Sequence, residues 1–254
     1  MPKIRVHTPF LFVFALLLVL IAPNSLAAHP TAPDRPTAPS LAVIVEAVKD
    51  NTLYDSPAGA LSNGSGQHFF VGTSGGNQIR RGVLAFDVEG ALPPGAQLVS
   101  ATLQLNMSRT STGPVVLNLH RLTANWGEGA SDASGNEGGG APSATGDATW
   151  LHAFYTDTLW TTPGGDFVAQ PSASQRVNGI AVYTWTSPEL LADVQDWLTA
   201  PTNNFGWILV GNESSSTTAK RFDSRQSPTA PNRPKLILTY SLPHNIFLPQ
   251  VVKE

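Results

Sequence analysis

Basic side chains from two distant segments of the chain are the residues best suited to bind an anion. They are Arg80, Arg81, Lys220, Arg221 and Arg225. A guanidinium is planar and binds a carboxylate through two parallel hydrogen bonds, which suits the uronate residues of an acidic glycan. The alternative is that these cations pair with the acidic residues Asp87, Glu213 and Asp223 on a sheet surface. Alternation along a strand puts Arg80 and Arg81 on opposite faces, so we expect one of them to be structural.

Three tryptophans, Trp126, Trp150 and Trp160, lie in or beside a long glycine-rich segment. Flat aromatic rings on loops stack on sugar rings, which would make these residues part of a glycan site. Large aromatic side chains are mostly buried, however. The alternative favoured by that tendency is that the three rings pack over the end of the domain and anchor the loop.

Two groups of carboxylate and amide side chains have the chemistry of a calcium site. The first is Asp132, Asn136, Glu137, Asp147 and Asp166, and the second is Asp50, Asn51 and Asp55. Calcium takes about six to eight oxygen ligands from carboxylates and carbonyls on flexible loops. The spacing matches no EF-hand loop, and a solvated polar loop is the alternative. A structural calcium ion would stabilise the folded state of a chain that has no cysteine.

Motifs of known catalytic sites are absent from the sequence. It has no cysteine, no Gly-X-Ser-X-Gly, no His-Glu-X-X-His and no phosphate-binding loop. A carboxylate pair such as Glu128 with Asp147 has the chemistry of a glycosidase, but the sequence does not give their separation. We therefore expect a protein that is not an enzyme, with a polysaccharide-degrading enzyme as the least favoured alternative.

The first 27 residues have the pattern of an export signal. Lys3 and Arg5 precede an apolar run at 10–22, and Ser25 and Ala27 stand where a signal peptidase reads small residues. The run is shorter than the roughly 20 residues of a membrane-spanning helix, and no later segment could span a membrane. We expect a secreted or cell-surface bacterial protein. Its formal net charge of −3 argues against nucleic acid as a partner.

The remaining chain divides into a proline-rich linker at 28–40, one domain at 41–241 and a tail at 242–254. Within the domain, apolar and polar residues alternate with a period of two, which is typical of strands with one buried face. The predicted strands are 41–49, 67–72, 81–88, 99–107, 115–119, 181–185, 207–210, 219–222 and 235–240. Glycine and proline turns between them predict an all-β, jelly-roll-like antiparallel sandwich.

Two segments depart from the strand pattern. Residues 187–199 place Leu190, Val194 and Trp197 at helical spacing after a capping serine and Pro188. This predicts one short helix packed on the sandwich. Residues 127–147 are rich in glycine and acidic side chains, and a loop of that length in a compact domain is usually functional or disordered.

Most of the domain resembles the DNRLRE domain family of exported bacterial and archaeal proteins, which is related to a carbohydrate-binding-module family that includes alginate-binding modules. The resemblance rests on an ordered set of short segments, among them Arg-Arg-Gly-Val-Leu-Ala-Phe-Asp and Phe-Asp-Ser-Arg. The matching segments are 50–54, 80–87, 92–96, 100–105, 119–122, 126–128, 148–150, 194–197, 203–207, 222–225 and 234–240.

The resemblance implies a jelly-roll-like sandwich with a role in adhesion or glycan binding, without fixing the ligand. Two departures concern acidic positions. Asp50-Asn51-Thr52 stands where the family favours an aspartate directly before threonine, and Gln226 stands where an acidic residue usually follows Ser-Arg. We expect an exported carbohydrate-binding or adhesion module that binds polysaccharide. A structural or adhesive surface protein that binds protein subunits is the alternative.

Overall fold

The computed structural model describes residues 40–243. The predicted export signal, nearly all of the linker and the tail from residue 244 lie outside the described residues. The strands are β1 (Leu41–Tyr54), β2 (Leu61–Ser62), β3 (His68–Thr73), β4 (Ile79–Phe86), β5 (Gln97–Thr110), β6 (Val115–Arg121), β7 (Ala141–Pro142), β8 (His152–Phe154), β9 (Thr158–Leu159), β10 (Ala173–Val177), β11 (Ala181–Trp185), β12 (Trp207–Val210), β13 (Lys220–Asp223) and β14 (Lys235–Ser241). Pro188–Thr199 forms the helix α1. No helix in this part of the chain is long and apolar enough to cross a membrane.

Two antiparallel sheets form a sandwich, which confirms the predicted all-β class with one short helix. In the first sheet, β5 pairs with β13 and β14 and also with β11, while β14 pairs with the first half of β1. In the second sheet, the other half of β1 pairs with β4, and β12, β6 and β10 follow. A register shift between Ala47 and Lys49 marks the point where β1 passes from one sheet to the other.

Aromatic and aliphatic side chains fill the space between the sheets. Phe69 stacks on Phe222 with 5.5 Å between ring centroids, and the rings of Trp197 and Trp207 lie 4.4 Å apart. The helix contributes Trp197 to this core and is capped by Ser187, whose side chain accepts a hydrogen bond from the Leu190 N–H. These contacts explain why the alternating pattern is strong, because each strand buries one face here.

A second hydrophobic cluster covers the other face of the second sheet. Leu53, Val83 and Ile208 of that sheet pack against Trp126 and Trp160, which belong to the connection between β6 and β10. Residues on both sides of the glycine-rich segment therefore pack against the second sheet. The backbone of this segment also lies close to the Asp147 side chain. A Cβ atom on Gly129 would lie 1.4 Å from Asp147 Oδ1, so the position requires glycine.

Side chains from neighbouring loops close the free edge of β3. The Phe70 N–H donates to Thr52 Oγ1 at 3.0 Å, and the His68 N–H donates to Glu137 Oε2 at 2.9 Å. Asn63 Nδ2 donates to the His68 carbonyl at 2.9 Å. These bonds satisfy backbone groups of β3 ahead of Gly72, where its pairing with β4 begins, as buried polar groups require. They also fix the loop around Glu137 against β3.

Candidate functional site

A basic cleft of about 310 Å³ lies where β3, β5 and β13 meet the glycine-rich segment. The residues that matter for its chemistry are Phe70, Arg80, Arg109, Asn136, Gly138 and Arg221. Among the described residues, no aspartate or glutamate lines this basic cleft. Three guanidinium groups therefore share one concave surface whose other polar groups are neutral.

Arg109 and Arg221 face each other on neighbouring antiparallel strands. They are register partners of β5 and β13, and Arg221 alternates with Lys220 and Phe222, which point into the sandwich. Arg221 Nε donates to Ser108 Oγ at 3.1 Å, and within residues 40–243 neither guanidinium has a carboxylate partner within 4.0 Å. Burial, followed by the charge of Arg109, lowers the pKa of Arg221. Like charges directly opposite in a sheet are unfavourable, so an anion placed between these two guanidinium groups would lower their mutual repulsion.

Arg80 forms the fixed wall of the basic cleft and is only 3% exposed. Its guanidinium lies 4.7 Å from the ring centroid of Tyr54 and donates to the Gly138 carbonyl from both Nε and Nη2, each at 3.3 Å. Burial lowers the pKa of Arg80, and Tyr54 and Asp55 oppose that effect. A guanidinium stays protonated in proteins, so Arg80 supplies a positive charge that is already oriented.

Lys220 lies behind the cleft and holds its rim. The side chain is fully buried, and its ammonium donates to Thr110 Oγ1 at 2.5 Å and to the carbonyls of Thr112 and Gly113 at 2.8 Å and 3.0 Å. Burial lowers the pKa of Lys220. These three oxygens belong to the last residue of β5 and to the turn that follows it, and Thr110 lines the cleft. Lys220 therefore orients the rim and does not reach a ligand itself.

The carboxylates whose charges act on Arg221, those of Glu137 and Asp223, both contact the imidazole ring of His68. Glu137 Oε1 lies 3.2 Å from His68 Nδ1, and Asp223 Oδ1 lies 3.5 Å from His68 Nε2. Asn106 Nδ2 also donates to Asp223 Oδ2 at 2.7 Å. Both acids are buried beneath the surface that carries Arg221. They moderate its charge without neutralising the guanidinium by direct contact.

The other two predicted cations lie in ion pairs elsewhere. Arg81 binds Glu213 through Nε and Nη2, at 2.7 Å and 2.8 Å, and lies over the ring of Trp150. Arg225 binds Glu128 in the same two-pronged way, with both distances at 2.6 Å. The structure thus brings Arg80 and Arg221 together in the basic cleft and separates Arg81 and Arg225 from it. The ion-pair alternative holds for Arg81 with Glu213, and Arg225 pairs with Glu128, which was not among the expected partners. Anion binding by Arg80 and Arg221 stays a prediction.

The three tryptophans lie in the second cluster or at its margin. Trp126 is 1% exposed and donates from Nε1 to the Phe205 carbonyl at 2.9 Å. Trp160 is also buried and donates from Nε1 to the Thr149 carbonyl at 2.9 Å. Trp150 is half-buried beneath Arg81. This burial favours the loop-anchoring alternative, and none of these rings lines the basic cleft.

Several predicted calcium ligands accept hydrogen bonds from the backbone instead. Asp147 accepts the N–H groups of Ala130 and Ala144, and Asp166 accepts those of Thr161 and Thr162, at 2.7–2.8 Å. Asp50, Asn51 and Glu137 are buried, Asp55 is half-buried, and Asp132 and Asn136 are exposed. Over residues 40–243, no group of three or more histidine, aspartate or glutamate side chains could hold a metal ion.

Calcium binding stays a prediction, and a thermal melt tests it. A structural calcium ion requires the melting temperature to fall when a chelator is added and to recover when calcium is restored, because the ion binds only the folded state. The same melt with excess magnesium is the control. An identical melting temperature with and without chelator contradicts a structural calcium ion.

Arg109 is the cleft residue that sequence reasoning missed. Residues 101, 103, 105 and 107 are buried, so strict alternation assigns Arg109 to the core. The register shift opposite Arg221 and Phe222 leaves Ser108 unpaired and turns Arg109 to the outer face. A β-bulge of this kind re-aims the next side chain. The available signal was an arginine at a position that the pattern assigned to the core.

No family model matches the sequence, and no curated protein matches it either.

Proposed function

We propose that this chain is an exported, non-catalytic module that binds an acidic polysaccharide through the basic cleft. The observation that carries the proposal is the facing pair Arg109 and Arg221, with Arg80 beside it and no acidic side chain in the lining. A carboxylate placed between the two strands would relieve their repulsion and accept paired hydrogen bonds. The cleft volume falls at the lower end of the range of ligand sites, which suits one sugar residue of a chain.

The net charge and the expected export favour a glycan over other anions. The chain is acidic overall, with a sequence pI of about 6.0, whereas nucleic-acid-binding domains carry an extended basic face. Residues 1–27 have the pattern of an export signal, and acidic polysaccharides are polyanions of the cell exterior. The planar geometry of a guanidinium fits the carboxylate of a uronate residue.

Replacing both arginines is expected to abolish binding while leaving the fold intact. Each charge-assisted pair that is lost weakens binding by about 1.5–3 kcal/mol, so Arg109→Met with Arg221→Met should end retardation in affinity electrophoresis on alginate or polygalacturonate. The melting temperature should stay constant or rise, because the substitutions remove like charges that face each other. Added salt should weaken wild-type binding.

Arg176→Met is the matched control. Arg176 is exposed on β10 of the other sheet and does not line the cleft, so this variant should be retarded like the wild type. Dextran is the neutral polymer for comparison. A wild-type protein that no acidic polysaccharide retards contradicts the proposal, and concentration-dependent assembly of that protein would favour the adhesive alternative. New reducing ends in the polymer would favour the enzyme.

A further inference from the structure

The outer face of β5 carries a row of hydrogen-bonding side chains that begins beside the basic cleft. Its members are Ser100, Thr102, Gln104 and Asn106, here called the β5 row. We infer that the β5 row binds the sugar residues that adjoin the one held in the basic cleft. The inference rests on the proposed function and extends it from a single anionic residue to a length of polysaccharide.

Register and burial place the β5 row on the same face as the cleft arginines. The four residues alternate with Ala101, Leu103 and Leu105, which are buried in the core. Asn106 reaches Asp223, and Asp223 alternates with core residue Phe222 in the same way as Arg221. Alternate residues of a strand lie about 6.6 Å apart, so the row extends for about 20 Å. All four side chains are partly exposed.

The chemistry of this face suits a polar chain with hydroxyl groups. Two hydroxyls and two amides offer both donors and acceptors. Apolar side chains flank them, since Val182 is the register partner of Asn106 and Ile237 that of Thr102. Sugar rings present both hydroxyl edges and C–H faces, and this surface offers partners for both.

Charge and continuity favour an acidic glycan over a protein as the occupant. The row carries no acidic side chain, and Asp223 beside it is buried and bound to Asn106 and His68. The row also lacks the aromatic residues, methionine and arginine that are enriched at the centre of protein interfaces. A polyanion anchored by Arg109 and Arg221 would continue along the strand without meeting an exposed carboxylate on it.

A negative charge on the row distinguishes a long site from a single-residue site. Thr102→Glu should weaken binding of a six-residue oligouronate by about fivefold through repulsion of its carboxylates. Binding of the corresponding monomeric uronate should change less than about twofold, because the cleft is unaltered. The monomer and hexamer are galacturonate or mannuronate, matching the polymer that retards the wild type, and calorimetry measures both affinities.

Thr158→Glu introduces the same charge in β9, where Thr158 is exposed away from the first sheet, and it should bind both ligands like the wild type. Ser100→Glu is the second variant on the row if Thr102→Glu does not fold. Equal loss of monomer and hexamer affinity, or no loss of either, overturns the inference while leaving the basic cleft in place. A wild type that binds neither ligand overturns the proposed function and this inference together. A change from monomer to dimer that Thr102→Glu prevents would assign the face to a second copy and also overturn it.

Discussion

Replacing Trp126 with alanine is expected to destabilise the domain by about 3–5 kcal/mol, the range measured when a buried tryptophan or phenylalanine is truncated. Trp126 is 1% exposed and packs in the second cluster with Leu53 and Ile208. Its indole N–H satisfies the Phe205 carbonyl, and the Lys49 ammonium lies 4.4 Å from its ring centroid. The alanine variant therefore creates a cavity and leaves the Phe205 carbonyl without this donor, while Lys49 keeps its hydrogen bonds to Asn125 Oδ1 and to the backbone carbonyl at position 126.

Urea unfolding of Trp126→Ala and Trp150→Ala measures this difference. Trp150 is half-buried and contacts the guanidinium of Arg81 from one side, so its removal should cost less than half as much. Trp126→Phe keeps much of the buried area and should retain full affinity for the acidic polysaccharide. A loss below about 1 kcal/mol for Trp126→Ala would show that the second cluster is loosely packed. A loss of binding in Trp126→Phe would restore this residue as a ligand contact.

The sequence pattern predicted the strands of the sandwich wherever one face meets the core. Residues 99–107 alternate because Ala101, Leu103 and Leu105 are buried while their neighbours are partly exposed. The alternating pattern did not predict strand residues whose buried side chains are polar. β1 continues to Tyr54 through Asp50, Asn51 and Thr52, because these polar side chains form hydrogen bonds with the loops and with β3, which cover them. β10 was missed because Ser174, Gln175 and Arg176 interrupt its apolar ends.

The candidate site was only partly predictable from the sequence. Contacts between distant segments decide which arginines lie in the basic cleft and which form ion pairs elsewhere. Arg80 and Arg81 look alike in sequence, yet Glu213 neutralises only Arg81. Arg221 and Arg225 differ in the same way, since Glu128 pairs with Arg225. Arg109 depends on a bulge at Ser108, and the sign of that bulge in the sequence is the arginine itself, at a position that alternation assigns to the core. The chemistry of anion binding could thus be predicted, whereas its assignment to particular arginines required the register of β3, β5 and β13.

The buried carboxyl group of Asp50 makes the stability of the domain depend on pH. Asp50 is 1% exposed, and its Oδ2 accepts the Arg225 N–H at 2.6 Å, while its own N–H donates to Glu128 Oε1. Burial raises the pKa of Asp50 from 3.8 to about 8; the Arg225 N–H opposes this shift, the Glu128 carboxylate adds to it, and the Arg225 guanidinium opposes it. Folded Asp50 is therefore protonated at a pH where unfolded Asp50 is ionised.

The sign of the effect follows from the number of protons bound. Between pH about 4 and 8 the folded state holds one more proton at Asp50 than the unfolded state, so this contribution to stability falls as the pH rises. It is fully present below the unfolded pKa and is lost as the pH passes through the folded pKa. One proton corresponds to about 1.4 kcal/mol per pH unit. The expected change in the free energy of unfolding between pH 5 and 7 is therefore larger than the effect of most single substitutions.

Asp50→Asn should remove this slope, because an amide keeps an acceptor for the Arg225 N–H and carries no charge. The variant should be more stable than the wild type at pH 7, and the difference should shrink toward pH 5. Urea unfolding between pH 5 and 8 in the presence of chelator measures it, since a bound cation would favour the ionised carboxylate. Asp157→Asn, at an exposed turn between β8 and β9, is the matched control and should parallel the wild type. Curves for Asp50→Asn that also parallel the wild type would mean that folded Asp50 is ionised at neutral pH, with Arg225 and not burial governing its charge.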